Sequence, residues 1–264
     1  MVKSNPTLIN RFWQVLNVPD TCLLDSRIYK KMLLENADLV TRDKKLVNES
    51  IESLLWRYTL KPETINIPAH QTKELDYPEI AIILVSLKTD KQAKRLVEII
   101  QRAIPYPLLL IMTIDDRVWV SLASKRQSLA DSVKLTTDHF YDSDWMDGSK
   151  LQPIEEQYIE SLNNKDFDWT NIYTFYQSLI DRVVALQAAR HTDEYLIKKH
   201  SDQLEAKSNS ANRQNRLADI KKIEEFESQL KAELKKETQF NSKLNLNVRI
   251  KECQQQIQQL TKDL

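Results

Sequence analysis

Glycine is nearly absent from this sequence, which has one glycine, Gly148, among 264 residues. Loops that cradle phosphates and turns that bind dinucleotides need several glycines, because the backbone must approach the ligand closely and adopt positive φ angles. The scarcity of glycine therefore argues against a Walker-type nucleotide site and against a Rossmann cofactor site. No cofactor is predicted for this chain.

Cysteine is scarce as well, and Cys22 and Cys253 lie near opposite ends of the chain. Their spacing matches no metal-binding motif, and two isolated thiols are typical of a reducing compartment. No apolar run approaches the roughly 20 residues needed to span a bilayer. Residues 1–10 lack the basic and then apolar pattern of a secretory signal. We therefore expect a cytoplasmic protein that makes no membrane contact.

An excess of charge of one sign is also missing, since 38 Lys and Arg residues balance 38 Asp and Glu residues. The chain as a whole thus has no field that would indicate a nucleic-acid or membrane partner. Residues 190–264 contain 15 basic and 12 acidic residues, and this small surplus supports at most weak, salt-sensitive contact with DNA.

The densest apolar sequence lies in residues 79–125, which predict a strand, a helix, a second strand, a tight turn and a third strand. Residues 80–85 and 108–114 are β-branched and aliphatic runs suited to buried strands. Between them, apolar residues recur at helical spacing after a cap at Thr89 or Asp90, until Pro105. The fold class predicted is α+β, with a small mixed sheet around this β-α-β-β unit.

The flanking segments must cover the sheet. Residues 8–16 predict an amphipathic helix, and Asp25 or Ser26 can cap a second helix that carries Ile28, Met32 and Leu33. A two-helix DNA-recognition unit is the alternative, but the second helix is not rich in Arg, Asn or Gln. Residues 47–60 fit either a helix or a strand, and their aromatic and β-branched content favours a strand.

A domain boundary is predicted at an acidic turn after a further strand at residues 133–141. Asp142, Asp144 and Asp147 precede Gly148 there, but their order does not match a calcium loop, so a solvated boundary is favoured over a metal site. We therefore expect an α+β domain in residues 1–148 and a helical region in residues 149–264. No metal site is predicted.

The helical region combines an apolar helix with a predicted coiled-coil arm. Residues 169–186 form a broad apolar face that must dock on the front domain or on a second copy. Residues from about 190 to 264 contain two heptad seams interrupted at residues 241–247, where Asn residues can cap a new helix and the chain is expected to fold back. Glu227 occupies one core place of the first seam. The predicted interaction residues are those of the two seams: Ile220, Ile223, Leu230, Leu234, Leu246, Ile250, Cys253, Ile257 and Leu260.

Several segments resemble the bacterial family called domain of unknown function 4391, in the order LLWRYTLKPETINIP, EIAIILVSLK, RAIPYPLLLIM, HFYDSDW and QFNSKLNLNVRIKECQQQIQQL. The most specific are the Pro-Glu-Thr-Ile-Asn, Ile-Pro-x-Pro and Phe-Asn…Leu-Asn signatures. The resemblance implies a setting beside helicase and DNA-methyltransferase genes of restriction-like defence systems. It carries over no catalytic residues, because the family has no assigned chemistry.

Catalytic patterns are weak in this sequence. The four histidines stand in separate segments without metal-ligand spacing. A restriction-type nuclease needs an Asp on one strand and a Glu-x-Lys pair on the next. The nearest candidates are Asp115, Asp116, Lys88 and Lys125, but the second metal ligand is missing, because Ser86 occupies the acidic place of the Glu-x-Lys pair before Lys88. No catalytic residue is therefore assigned, and an enzymatic role is left open but disfavoured.

The sequence and the resemblance together predict a non-catalytic interaction or accessory subunit of a bacterial anti-phage or restriction-like defence complex. It would bind a helicase-type or methyltransferase partner, or itself, through the coiled-coil arm. The alternative is a divergent magnesium-dependent nuclease or DNA-binding subunit of such a system. Heptad spacing alone leaves open whether the arm pairs within one chain or between chains.

Overall fold

The computed structural model describes residues 7–36, 39–127, 135–197, 203–262 and 264. The chain divides into two compact units, residues 1–183 and 184–264. The division lies later in the chain than the boundary predicted at Gly148. Residues between the two positions therefore belong with the first unit.

The helices and strands alternate irregularly along the chain. The helices are α1 (Leu8–Leu16), α2 (Lys30–Asn36), α3 (Thr41–Ser50), α4 (Pro62–Ile65), α5 (Ala93–Ala103), α6 (Pro153–Ser161), α7 (Ile172–Thr192), α8 (Gln203–Lys236) and α9 (Phe240–Thr261). The strands are β1 (Leu23–Arg27), β2 (Ile51–Leu60), β3 (His70–Gln71), β4 (Asp76–Tyr77), β5 (Ile80–Leu87), β6 (Leu108–Ile114), β7 (Arg117–Gln127), β8 (Leu135–Asp142) and β9 (Met146–Asp147).

Within the described residues, seven strands form one mixed sheet in the order β1-β2-β5-β6-β7-β8, with β9 paired to β7. Strands β5 and β6 are parallel and are joined through α5, whereas the other neighbours are antiparallel. A helix must cross between parallel neighbours because a tight turn cannot reverse the chain twice. The α+β class and the central β-α-β-β unit are confirmed.

One face of the sheet is covered by α2, α3 and α5. Their apolar side chains share a buried core with alternate residues of β5 and β6: Leu33, Leu46, Val47, Leu96, Val97 and Ile100 from the helices, with Ala81, Ile83, Val85, Leu108, Leu110 and Met112 from the strands. The period of two along the strands and of three to four along the helices brings these residues together. The N-terminal helices that were predicted to cover the sheet therefore supply only part of this layer.

The opposite face of the sheet is covered by α1, α6 and α7. The rings of Phe12 and Tyr158 join α1 to α6 at 6.3 Å, and Arg11 lies 3.7 Å from Glu156 and Glu160. From α7, Phe175 and Leu179 line an apolar cavity of about 10 Å³ together with residues of α1, β2, β5 and β6. A space of that size holds no more than one water molecule.

Three local predictions need correction. Asp25 and Ser26 do not cap a helix but lie in β1, where Asp25 has φ 49° and its carboxylate pairs with Arg57. The second helix begins later, at Lys30. Residues 47–50 complete α3 before the predicted strand starts at Ile51. The N-cap of α5 is Gln92 rather than Thr89 or Asp90.

Two side chains fill a gap where β6 and β7 separate. The pairing of these strands runs from Leu110 with Ser121 to Ile114 with Arg117, and stops before Leu108. From one layer, the Tyr176 hydroxyl accepts the N–H of Ala123 at 3.0 Å and lies 3.0 Å from the Leu108 oxygen. From the other layer, Gln101 Nε2 donates to the Leu108 and Ser121 oxygens. The side chains thus replace missing ladder bonds.

The single glycine permits a close approach between two turns. The N–H of Gly148 donates to the Asp116 carbonyl at 2.9 Å, and a Cβ at this position would lie 2.2 Å from Asp116 Oδ2. The other carboxylate oxygen of Asp116 accepts the N–H of Leu8 at 2.8 Å. The acidic turn is therefore held against the start of α1, and the glycine is required by space.

Candidate interaction surface

The second unit contains a helical hairpin formed by α8 and α9. The predicted fold-back at residues 241–247 is wrong, because the turn lies at residues 237–239. There the Glu237 carboxylate accepts the N–H groups of Thr238 at 2.7 Å and Gln239 at 2.9 Å, which lower its pKa. The first residue of α9 is Phe240, and its N-cap is Gln239 rather than an asparagine.

The predicted seam residues meet inside this hairpin. Leu230, Ile250 and Cys253 form a buried cluster, against which Ile223, Leu234 and Leu246 pack. Ile220 is buried as well, and Ile257 and Leu260 are half-buried. The two seams therefore bury much of each other's apolar surface within one chain.

The polar residue at a core place of the seam has partners. Glu227 accepts a hydrogen bond from Gln254 Nε2 across the hairpin at 2.8 Å, and Lys231 Nζ lies 2.8 Å from the same oxygen. These two bonds, Lys231 first, lower the pKa of the Glu227 carboxyl. A charged residue in a seam disfavours alternative registers because it must find these partners, so Glu227 fixes how the helices align.

A second apolar stripe runs along the outer side of α9. Phe240, Leu244 and Val248 recur every four residues and are 78%, 56% and 50% exposed. This stripe, called the outer stripe below, faces away from the seam because position 250 lies about half a helical turn from position 248. Large apolar side chains exposed in a row are typical of a surface that another protein covers.

The rim of the outer stripe is mainly basic or neutral. Along α9, the exposed side chains next to the stripe are Lys243, Asn247 and Lys251, with one carboxylate, Glu252, four residues after Val248. Farther along α9, the line of the stripe continues through Lys251 and Gln255, so the apolar part is confined to the end near the turn. A helix with an apolar face and acidic flanks would complement this surface.

The apolar helix predicted at residues 169–186 is not part of such a surface. The residues of α7 from Ile172 to Val183 with apolar side chains are buried, and within the first unit they pack toward the sheet. Trp169 precedes the helix, and its ring lies 4.9 Å from that of Phe175. Of the two docking possibilities left open by the sequence, docking on the front domain is the one observed.

The nuclease candidates lie at two separate places, with Lys125 apart from Lys88, Asp115 and Asp116. Asp116 lies just before the first residue of β7, and Lys125 lies near the last. Because a strand rises about 3.3 Å per residue, the two residues are about 30 Å apart. The Asp116 carboxylate is engaged at Leu8, and the neighbouring Asp90 lies 2.9 Å from Arg117. Lys88 and Asp115 follow neighbouring parallel strands and share one sheet edge. In the part of the chain that the structure describes, no three His, Cys, Asp or Glu side chains are placed to hold a metal ion.

Lys125 is instead a buried residue of the sheet. It is 1% exposed, and its ammonium group donates to the carbonyl of Ile104, the residue that ends α5. Burial lowers its pKa to about 7. Carbonyl groups at a helix carboxyl end favour a cation, which partly offsets the cost of burying one. The position holds the β7 strand against α5 and has no carboxylate partner for catalysis among the described residues.

The pattern of the sequence as a whole matches a known family. The family described as Domain of unknown function (DUF4391) matches residues 16–257. The chain belongs to this family. Neither a curated protein nor a solved structure matches it. No helix among the described residues of this DUF4391 protein is both long and apolar enough to cross a bilayer.

The outer stripe was missed by sequence reasoning. The heptad pattern assigns residues 241–247 to an interruption between the two seams, although Phe240, Leu244 and Val248 already show a spacing of four. That signal is ambiguous in a sequence, because the same apolar residues could have extended the seam. Only the position of the turn at residues 237–239 assigns them to the outer side.

Proposed function

We propose that this DUF4391 protein is a non-catalytic interaction subunit of a bacterial anti-phage or restriction-like defence complex. Its partner is a helicase-type or methyltransferase protein, which it binds through the outer stripe of the α8–α9 hairpin. The family resemblance alone supports the defence setting and the class of partner. The stripe supports the mode of binding.

The observation that carries the proposal is that α9 has two apolar faces. One face is covered by α8, and its polar position at Glu227 is already paired. The other, at Phe240, Leu244 and Val248, is exposed at the end of the hairpin. An exposed apolar stripe costs solubility unless another surface covers it. We therefore assign partner binding to the outer stripe rather than to the seam.

The occupant proposed is a helix of the partner with an apolar face and acidic flanks. α9 has three basic side chains, Lys243, Arg249 and Lys251, and one carboxylate, Glu252, so two copies meeting through this stripe would bring surfaces of net positive charge together. An acidic flank on the partner removes that repulsion. Self-association is accordingly the competing outcome of the test.

The test compares Leu244→Asp with wild type in the full chain. A carboxylate at the centre of the stripe would be desolvated without a partner, so binding should weaken by more than tenfold. The measurement is pull-down of the purified helicase-type and methyltransferase products of adjacent genes, followed by titration of whichever is captured. Light scattering of both variants reports self-association.

The matched control is Asn245→Asp, which adds the same charge on the neighbouring exposed position of α9. It should bind as wild type does. Equal loss in both variants would mean that charge alone weakens the complex. A wild-type chain that captures neither product would end the proposal, and a dimer dissociated by Leu244→Asp would replace the partner with a second copy.

A further inference from the structure

The helical layer formed by α2, α3 and α5 carries a surplus of positive charge. These three helices hold eight basic and four acidic side chains, although the whole chain is balanced at 38 of each. In the opposite layer, α6 holds three glutamates and no basic residue. The neutral total therefore hides a surplus of positive charge on this layer, which a whole-chain charge cannot reveal.

Three basic side chains lie close together beside this layer, near the ends of β1 and β5 and the start of β2. Lys30 Nζ donates to the carbonyls of Asn48, at 3.2 Å, and Ile51. The main-chain N–H of Lys88 donates to the carbonyl of Ser50 at 2.8 Å. Both lysines thus flank the junction between α3 and β2. Arg27 ends β1 three positions before Lys30 in the sequence.

None of the three cations forms an ion pair with a described residue. Three other basic residues of the domain do form ion pairs, since Arg95 pairs with Asp43, Arg117 with Asp90 and Arg57 with Asp25. The pKa of Lys30 is lowered by desolvation first, and then by the charges of Lys88 and Arg27. The three groups therefore repel one another in the isolated chain, and a bound anion would relieve that repulsion.

An exposed aromatic ring lies beside these cations. Tyr29 is 65% exposed, and the Arg27 guanidinium carbon lies 5.8 Å from its ring centroid. The exposed part of the ring is available to a planar ligand. Lys30 uses two of its three N–H donors on carbonyl groups, which orient the ammonium and leave one donor for an anion.

We propose that Arg27, Lys30, Lys88 and Tyr29 form a binding site for single-stranded nucleic acid. The three cations bind successive phosphates, and a base stacks on Tyr29. A single strand fits better than a duplex because only unpaired bases expose a face for stacking. This site belongs to the first unit and differs in chemistry from the outer stripe of the second unit, and it goes beyond the proposed function.

The experiment measures binding of the full chain to a fluorescent oligothymidylate of about 20 nucleotides by anisotropy, over a range of salt. Lys88→Gln should weaken binding about tenfold and reduce the slope of log K against log salt by about 0.7, because one phosphate contact is lost. Tyr29→Leu should weaken binding about tenfold and leave the salt slope unchanged, because it removes stacking and no charge.

Lys88 and Tyr29 are chosen because their side chains hold no other element in place, whereas Lys30 binds the end of α3. The control is Lys165→Gln, an exposed lysine outside the basic layer, which should bind as wild type does. The proposal is overturned if wild type does not bind, or if Lys88→Gln matches the control. It is equally overturned if a duplex of the same length binds as tightly, or if anionic lipid vesicles bind and the oligonucleotide does not.

Discussion

At the scale of single residues, the interior of the front domain is organised by polar side chains. Tyr176 and Gln101 enter the gap between β6 and β7 from opposite layers. Burial raises the pKa of Tyr176, so its hydroxyl stays protonated and remains a donor. Each polar group in such a gap must be paired, since an unpaired buried group costs about 1–3 kcal/mol. These residues therefore specify how the layers align.

Lys125 makes the stability of the protein depend on pH. Its pKa falls from 10.5 to about 7 in the folded chain, so the native state loses this proton before the unfolded state does. Between these values the unfolded chain binds more protons, and the free energy of unfolding contributed by Lys125 rises with pH. The slope is at most about 1.4 kcal/mol per pH unit. Below about pH 7 the full cost of burying the charge is present.

We predict that Lys125→Met removes this pH dependence. Methionine has a similar length and no charge, so the variant should gain stability relative to wild type near pH 7. That gain should shrink by up to a few kcal/mol as pH rises to 10. Urea denaturation at several pH values measures both chains. Lys165→Met, at an exposed lysine, is the control that should follow wild type, and parallel curves for Lys125→Met and wild type would contradict the prediction.

At the scale of elements, the α8–α9 hairpin separates a seam that stabilises from a stripe proposed to bind. Ile250 lies in the buried cluster with Leu230 and Cys253. We predict that Ile250→Asp lowers the free energy of unfolding of the hairpin by about 2–4 kcal/mol, because it buries an unpaired charge. It should leave the oligomeric state unchanged, since the seam is satisfied within one chain.

Thermal unfolding by circular dichroism and light scattering measure these two effects. Val248→Asp is the comparison, because it places the same charge on the exposed side of the same helix and should cost less than 1 kcal/mol. A change of oligomeric state in Ile250→Asp, with melting unaltered, would show that the seam is an interface between chains.

Sequence periodicity predicted the elements whose signal is local. The runs that form β5 and β6 and the stripe of α5 were correctly assigned, because buried strands and amphipathic helices have distinct periods. The strand β1 was missed because its side chains are exposed and give no alternation. The spacing of apolar residues could not predict which side of α9 holds Leu244, because that depends on how α9 packs against α8. The cluster of Arg27, Lys30 and Lys88 depends on strand order, which a single sequence does not reveal.

At the scale of the whole molecule, each unit carries a surface with its own chemistry. The first unit has a basic layer with an exposed aromatic ring, and the second has an apolar stripe with a basic rim. The two surfaces respond to different variants, at Lys88 and at Leu244, so their effects can be measured separately. Lys88 of the basic layer lies at the same sheet edge as Asp115, at the end of the neighbouring strand.

The last prediction concerns DNA cleavage. It follows from the distance between the carboxylates of Asp115 and Asp116 and the ammonium group of Lys125. Asp116 anchors the start of α1 through Leu8 and contacts Gly148, while Lys125 lies at the far end of β7. A two-carboxylate metal site beside a lysine needs all three groups within a few ångströms. Lys88 does share the sheet edge of Asp115, but the Asp116 carboxylate there already accepts the N–H of Leu8. We therefore expect the purified chain, with Mg²⁺ or Mn²⁺, to leave plasmid and single-stranded DNA intact. Asp116→Ala should instead lower the free energy of unfolding by about 1–3 kcal/mol, because the N–H of Leu8 loses a charged acceptor. Cleavage by wild type that disappears in a folded Asp116→Ala chain would contradict this structural role and restore the nuclease alternative.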